Sequence, residues 1–335
     1  MTQPHTATSL YTDKGARKGH RMITFGETMG LLTAENVGPL ELSRQFRYGI
    51  GGAESNVAIG VARLGGSVTW FGRIGRDATG DMIERRLVAE QITTVAIRDQ
   101  RPTGLMIKHH RFAHVAHIDY HRYQSAAAAM HPTDIPQDDI RKARILHVTG
   151  ITPALSQSAA DTVTAAVEIA KAAGILVSID VNYRSKLWGA DAAAPVLRRL
   201  VEHSDIVFAG PEEARLVLGE DAPATETDAG LGRALAALGP AEAIIKAGSR
   251  GCTAVIDGEF HQMDAMPVDV VDTVGAGDAF VAGYLAEHLR GAPAEERIRT
   301  AIQVGALAVT VPGDCEGLPT RADLELPLHT EDVRR

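Results

Sequence analysis

Cysteine is scarce in this chain of 335 residues, with only Cys252 and Cys315 present. Two cysteines cannot build a secreted disulfide framework and lack the paired spacing of a metal site, which favours a reducing, cytoplasmic setting. An excess of positive charge is also missing. The 34 Lys and Arg stand against 42 Asp and Glu, for a formal net charge of −8. That balance argues against nucleic acid or an anionic membrane as a partner, yet it allows a locally positive pocket for a small anion. No apolar run approaches the roughly 18 residues of a membrane span. The longest, over residues 301–311, is interrupted by Gln303 and Thr310. The first twenty residues hold no apolar stretch of the kind a secretory signal needs, and they are expected to form a flexible tail ahead of a domain over residues 21–330.

Several phosphate-binding and catalytic motifs are missing too. There is no Gly-Lys dipeptide, so a GxxxxGK[ST] phosphate loop is excluded. The dinucleotide pattern GxGxxG is approached at Gly275-Ala276-Gly277, but Phe280 fills its last glycine position. A nucleophile elbow, GxSxG, fails at Ser249 because Ala247 replaces the first glycine.

What is present is alternation. Strand-like runs at 22–25, 67–71, 145–149, 175–180, 206–208 and 243–246 are separated by helical patterns. The helices are expected at 53–64, 80–90, 156–173, 192–201, 211–218 and 229–238, the first with Val57, Val61 and Leu64 on one face. Such βαβ units predict a mostly parallel sheet covered on both faces, with ligands bound beyond the carboxyl ends of its strands. Residues 31–48 and 103–123 break the rhythm with strand-like stretches rich in Thr, Val, Ile, Tyr and His. Together they predict a small β-sheet lid over the ligand edge.

The most informative string is Asp272-Thr273-Val274-Gly275-Ala276-Gly277-Asp278-Ala279-Phe280, followed by an apolar helical run to Leu289. Its small residues let the backbone approach a ligand, and the N–H groups of a helix start suit a phosphate. A carboxylate in that first turn repels an anion but can accept a proton from an attacking hydroxyl. A plainer role for Asp278 is to cap a tight turn.

The full string resembles the DTxGAGDxF signature of the ribokinase-like (PfkB) carbohydrate kinases. Gly51-Gly52-Ala53-Glu54-Ser55-Asn56 resembles that family's substrate loop, and the stretch from Gly65 to Gly80, with Gly72, Gly75 and Asp77, resembles its LG…GxxGxDxxG segment. The resemblance implies a three-layer α/β/α sandwich and transfer of the γ-phosphoryl of ATP to a sugar hydroxyl. It implies that Asp278 is the catalytic base, with the amides of Gly275, Ala276 and Gly277 as the anion hole and Gly51, Gly52 and Asn56 on the sugar. Lys246-Ala247-Gly248-Ser249-Arg250-Gly251 would pass beside ATP, with Lys246, Gly248 and Gly251 on the nucleotide. Glu213 stands where relatives hold the water shell of Mg²⁺, although Gly210 replaces an expected Asn. Asp272 and the Gly313-Asp314 loop stand where relatives bind a monovalent cation such as K⁺.

The acceptor end resembles 2-keto-3-deoxygluconate kinases. Asp180-Val181-Asn182-Tyr183-Arg184, if extended, projects Asp180, Asn182 and Arg184 to one side. Tyr120 and Arg122 match that subfamily's Tyr-x-Arg. Two arginines, Arg122 and Arg184, form the cationic fork a carboxylate wants and a neutral sugar does not. Met106 stands where the subfamily commonly has a second lid tyrosine. A kinase of a neutral sugar, and a sugar-sensing protein without turnover, are the alternatives. His109, His110, His114, His117 and His121 crowd the same excursion, and are expected to face solvent or a second subunit of a homodimer joined through the lid rather than a metal.

Overall fold

The protein is described here from a computed structural model that covers residues 21–112, 115–223 and 227–326. The expected tail over 1–20, together with His114, lies outside the described residues. The first half begins with β1 (Arg21–Phe25), β2 (Met29–Ala34), β3 (Phe46–Gly51), α1 (Ala53–Arg63) and β4 (Ser67–Gly75). It continues through α2 (Ala78–Ala89), β5 (Thr93–Asp99), β6 (Leu105–Phe112) and β7 (Val115–His121). After α3 (Gln137–Lys142) come β8 (Ile145–Thr149), α4 (Gln157–Ala172), β9 (Leu176–Asp180), α5 (Ala190–Glu202) and β10 (Ile206–Ala209). The chain ends with α6 (Pro211–Leu218), α7 (Asp228–Ala237), β11 (Glu242–Lys246), β12 (Cys252–Ile256), β13 (Glu259–Met263), α8 (Ala276–Arg290) and α9 (Ala294–Ala308).

Nine strands form one sheet in the order β13-β12-β11-β10-β9-β8-β1-β4-β5. Every pairing is parallel except β11 with β12 and β12 with β13. The central strands read as continuous apolar runs because both faces are buried. In β10 all four residues are buried, with Ile206 and Phe208 facing one layer and Val207 and Ala209 the other. One layer packs α1, α8 and α9 through Val57, Trp70, Tyr284 and Ile298. The opposite layer packs α4 to α7 through Val163, Leu197, Val217 and Leu231. Each such side chain contributes about 1.5–3 kcal/mol by leaving water, so the three-layer body is held by apolar burial on two faces.

The strand-like runs expected from the sequence include neither β5 nor β13. The second forms a hairpin with β12 across Asp257-Gly258, whose φ values of +50° and +84° are those of a two-residue turn that Asp-Gly favours.

The smaller sheet has four strands in the order β3-β2-β6-β7. Its strands fall on the two excursions. Buried Met29, Leu31 and Met106 form a small apolar cluster, with Ile118 packed against it. Glu27 follows β1, Ile151 follows β8, Tyr183 follows β9, Glu213 follows β10 and Lys246 ends β11. These are all carboxyl ends of parallel strands, the edge where open α/β sheets bind ligands.

Candidate active site

A cavity of about 1370 Å³ opens at that edge. Val274, Gly275 and Asp278 from the start of α8 lie on its floor, with Gly52, Asn56 and Asp314 beside them. Met29, Leu31, Met106, Ile118, Tyr120 and Arg122 contribute the wall supplied by the smaller sheet and its flank. Leu155, Ser156, Tyr183, Arg184 and Lys186 complete the lining.

The floor is set by backbone geometry. Gly275 precedes α8 with φ +77°, and a β-carbon there would collide with the carbonyl of Asp314. Only glycine suits that combination of left-handed backbone and close approach. Asp278 sits in the first turn of α8 and is 8% exposed. It does not cap the helix, because no backbone amide donates to it among the described residues. Asn56 Nδ2 instead donates to its Oδ2 at 2.8 Å, and Asn182 Nδ2 reaches its Oδ1 at 3.5 Å.

Burial, then the neighbouring Asp314 carboxylate, push the Asp278 pKa from 3.8 up to about 7, against the hydrogen bond from Asn56. The carboxyl is therefore far from a solvated aspartate, whose pKa is about 3.9. Asp314 is bound by Asn56 Nδ2 and the Gly52 N–H, both at 3.1 Å. Loss of water around it also raises its pKa.

Asn182 reaches Asp278 by a route the sequence does not suggest. β9 stops at Asp180, and Asn182 takes φ +38° rather than an extended conformation. Asparagine tolerates this left-handed region better than most residues. The turn separates Asn182, buried on the floor, from Arg184, exposed on the rim. Asp180, Asn182 and Arg184 therefore do not share one side of a strand.

Lys246 brings positive charge to the same helix start. Its Nζ donates to Asp180 Oδ2 at 2.6 Å, and a β-carbon on Gly277 would lie 3.4 Å from that nitrogen. Burial works against its charge, but Asp180 and Glu213 outweigh that and hold its pKa above the ordinary lysine value. Asp180 Oδ1 is buried without a hydrogen-bond partner. Glu213 is partly engaged by the backbone, since its Oε2 accepts from the Gly210 N–H at 2.7 Å and its Oε1 from the Tyr183 N–H at 2.9 Å. The fold itself requires a glycine at Gly251. It has φ +86°, and a β-carbon would run into the Met263 carbonyl on β13. Gly248, at φ +60°, has open space around it.

The rim differs from a simple pair of free arginines. Arg122 is joined to buried Glu27 through both Nε, at 2.6 Å, and Nη2, and its guanidinium lies 5.5 Å from the Tyr120 ring centre. The Glu27 charge offsets that of Arg122, whereas Arg184 and Lys186 have no carboxylate partner among the described residues. Arg184 is exposed and has no ion pair among the described residues. Lys186 donates to the Ile118 carbonyl at 3.2 Å and sits 5.9 Å from the Tyr120 ring centre. His109 and His117 stack at 5.3 Å. No group of three His, Cys, Asp or Glu among the described residues could hold a metal ion.

Glu27 and Lys108 are site residues that sequence reasoning overlooked, and Asp314, which the resemblance places in a cation loop, shares Asn56 with Asp278. Glu27 alone had a usable signal, since it follows a parallel strand's carboxyl end. Asp272, expected on a monovalent cation, is 5% exposed and paired with the ammonium of Lys108 from β6.

The pfkB family carbohydrate kinase profile matches residues 20–321. The 2-dehydro-3-deoxygluconokinase of Bacillus subtilis is 35% identical over 307 residues, spanning 90% of this chain and 93% of the relative. A fructokinase of Klebsiella pneumoniae is 33% identical over 297 residues, spanning 83% of this chain and 91% of the relative. Among solved structures, a protein from E. coli described as a ribokinase II in complex with ATP and Mg²⁺ superposes with a TM-score of 0.82 at 25% identity. That match covers 91% of this chain and 97% of the other. No helix among the described residues is long and apolar enough to cross a membrane.

Proposed function

Because the chain belongs to the pfkB family of carbohydrate kinases, we propose that it phosphorylates a 2-keto-3-deoxy sugar acid with ATP, 2-keto-3-deoxygluconate at its 6-hydroxyl. The observation that carries this reading is a buried, high-pKa carboxylate, Asp278, beside the amino end of α8 and beneath a rim with Arg184, which has no ion pair among the described residues.

The acceptor hydroxyl donates to Asp278, which takes its proton as the phosphoryl arrives. With a pKa of about 7 the carboxylate is a stronger base than a solvated aspartate and is still substantially ionised at neutral pH. In a loose phosphoryl-transfer transition state charge spreads over the equatorial oxygens. The amides of Gly275, Ala276 and Gly277 and the ammonium of Lys246 would face that charge, with the Ala276 N–H held only by a long 3.4 Å bond to the Thr273 carbonyl, so little reorganisation is needed. Asn56 orients the base, and its buried Oδ1, which lacks a partner, is available to a sugar hydroxyl. Gly51 and Gly52 form the adjacent sugar loop, and Tyr120 packs on the sugar from above.

Hard oxygen donors suit Mg²⁺, and Asp180 Oδ1, which has no hydrogen-bond partner among the described residues, and the unused lone pairs of Glu213 can supply them. These two residues would hold the ion through its waters. Once bound, it neutralises phosphate charge. Gly248 and its open surroundings border the nucleotide.

Arg184, Lys186 and the remaining Nη1 of Arg122 receive the acceptor's carboxylate. Met106 fills the place of a lid tyrosine with an apolar side chain, so it adds no hydroxyl at that point. A homodimer through the smaller sheet would cover the exposed Phe46 and Tyr48 on its β3 edge. Two free, buried cysteines suit a cytoplasmic enzyme.

An ADP-release assay across sugar acids, fructose and ribose tests this reading. Release with 2-keto-3-deoxygluconate at the highest kcat/KM is expected. Preference for fructose or ribose would overturn the substrate, and no release with any acceptor would overturn the enzyme.

A further inference from the structure

The resemblance that places a monovalent cation at Asp272 meets a different arrangement in this chain. Asp272 lies just ahead of the α8 turn and is surrounded by hydrogen-bond donors. Its Oδ1 accepts from the Val274 N–H at 3.2 Å. Its Oδ2 accepts from the Gly313 N–H at 3.1 Å and from the ammonium of Lys108. An alkali ion needs oxygen ligands, and this carboxylate is already engaged by two amides and an ammonium.

The side chains of Lys108 and Asp272 are 1% and 3% exposed. In such a place a second cation would stand next to the Lys108 charge with little water to screen it. The residues present therefore do not fit a bound monovalent cation.

We propose that Lys108 is a tethered cation that does the work of an alkali ion, fastening the anion-hole turn to the smaller sheet and leaving the enzyme independent of K⁺. The inference rests on the kinase reading, and its geometry can be traced residue by residue. Lys108 is on β6, two residues from Met106, which also lines the cavity. Its ammonium reaches Asp272, and Asp272 holds both Val274 in the turn and Gly313 in the following loop. That loop packs directly under Gly275.

One buried charge thus joins three segments that must keep their places for Asp278 and the anion hole to stay aligned: β6, residues 272–275 and residues 313–314. A free ion would brace the turn and the loop alone. A lysine adds the smaller sheet, so the wall of the acceptor site and the phosphoryl site are fixed to one another. Lys108 is a positioning residue in this account, because its ammonium is spent on Asp272.

The test compares melting temperature and ADP release in KCl and in N-methyl-D-glucamine chloride at equal ionic strength, for the wild-type chain and for Lys108→Ala. Wild type should be indifferent to the cation in both measurements. Lys108→Ala should lose about 10²-fold in kcat, as displacement of a catalytic turn does, with less change in KM. K⁺ or ethylammonium should restore at least about tenfold of that loss and raise the variant's melting temperature.

A wild-type enzyme activated or stabilised by K⁺ would overturn the proposal, as would full kcat in Lys108→Ala or a folded variant that neither cation rescues. If Lys108→Ala does not fold, Lys108→Met takes its place, and the wild-type comparison stands without either. Failure of the kinase reading shows separately as no ADP release with any acceptor, while the melting measurements still decide the cation question.

Discussion

At the cavity floor Asp278 is 8% exposed and held by Asn56 and Asn182, whereas at the rim Tyr123 is 88% exposed and Arg184 faces solvent. The floor holds its groups in advance of any ligand. Backbone at Gly275, an amide from Gly52 and two asparagines fix two carboxylates next to each other. Burying Asp278, and then keeping it next to Asp314, costs stability, which appears as its raised pKa. The rim keeps long side chains on solvated segments, where contacts are individually weak and readily rearranged. This division assigns chemistry to the floor and choice of acceptor to the rim.

The sharpest way to break that contrast is Asp278→Asn. Turnover should fall by at least about 10²-fold, the scale of losing a general base. The same variant should be more stable than wild type at pH 8. The sign follows from the raised pKa. Below about pH 4 the carboxyl is protonated in folded and unfolded chains alike, and it contributes no penalty. Between there and about pH 7 the unfolded chain releases its proton while the folded chain keeps it, so stability declines. Above about pH 7 the full penalty applies, and the asparagine removes it. Calorimetric melts at pH 4 and pH 8 check this: a gain at pH 8 alone is expected, and equal melting temperatures at pH 8 would contradict the strained floor.

A smaller effect is expected at the rim. Arg184→Ala should raise KM for the sugar acid by about tenfold, the value of one charge-assisted hydrogen bond, with kcat little changed. Steady-state kinetics would contradict the division of labour if kcat fell and KM held. Activity toward a neutral sugar should not respond to the substitution.

The same contrast explains what could be read from the sequence. The floor's central string is contiguous, because a turn of small residues and the first turn of a helix are local structures. The α/β alternation is local too, and the strands at 145–149 and the helix at 211–218 coincide with the observed elements residue for residue. Asp314 is named in the sequence only through the family resemblance of its loop, and its contact with Asn56, 258 positions away, has no local pattern to mark it. Lys108 was hidden for the same reason, whereas Glu27 follows a strand's carboxyl end and only its partner Arg122 is distant in sequence. Asn182 shows a different failure. An alternating pattern was extrapolated past the end of β9, where the backbone had already turned left-handed. The β12–β13 hairpin was available in principle through its Asp-Gly turn, although β13 itself, with three of its five residues exposed, carries only a weak apolar signal.

The most direct measurement of the central claim is the pH dependence of kcat/KM for phosphorylation in the wild-type enzyme. A single acid limb with an apparent pKa of about 7, activity rising as pH increases through it, is the result predicted for a buried Asp278 acting as base. A limb near the ordinary carboxylate value of about 4, or activity flat from pH 5 to pH 8, would contradict it.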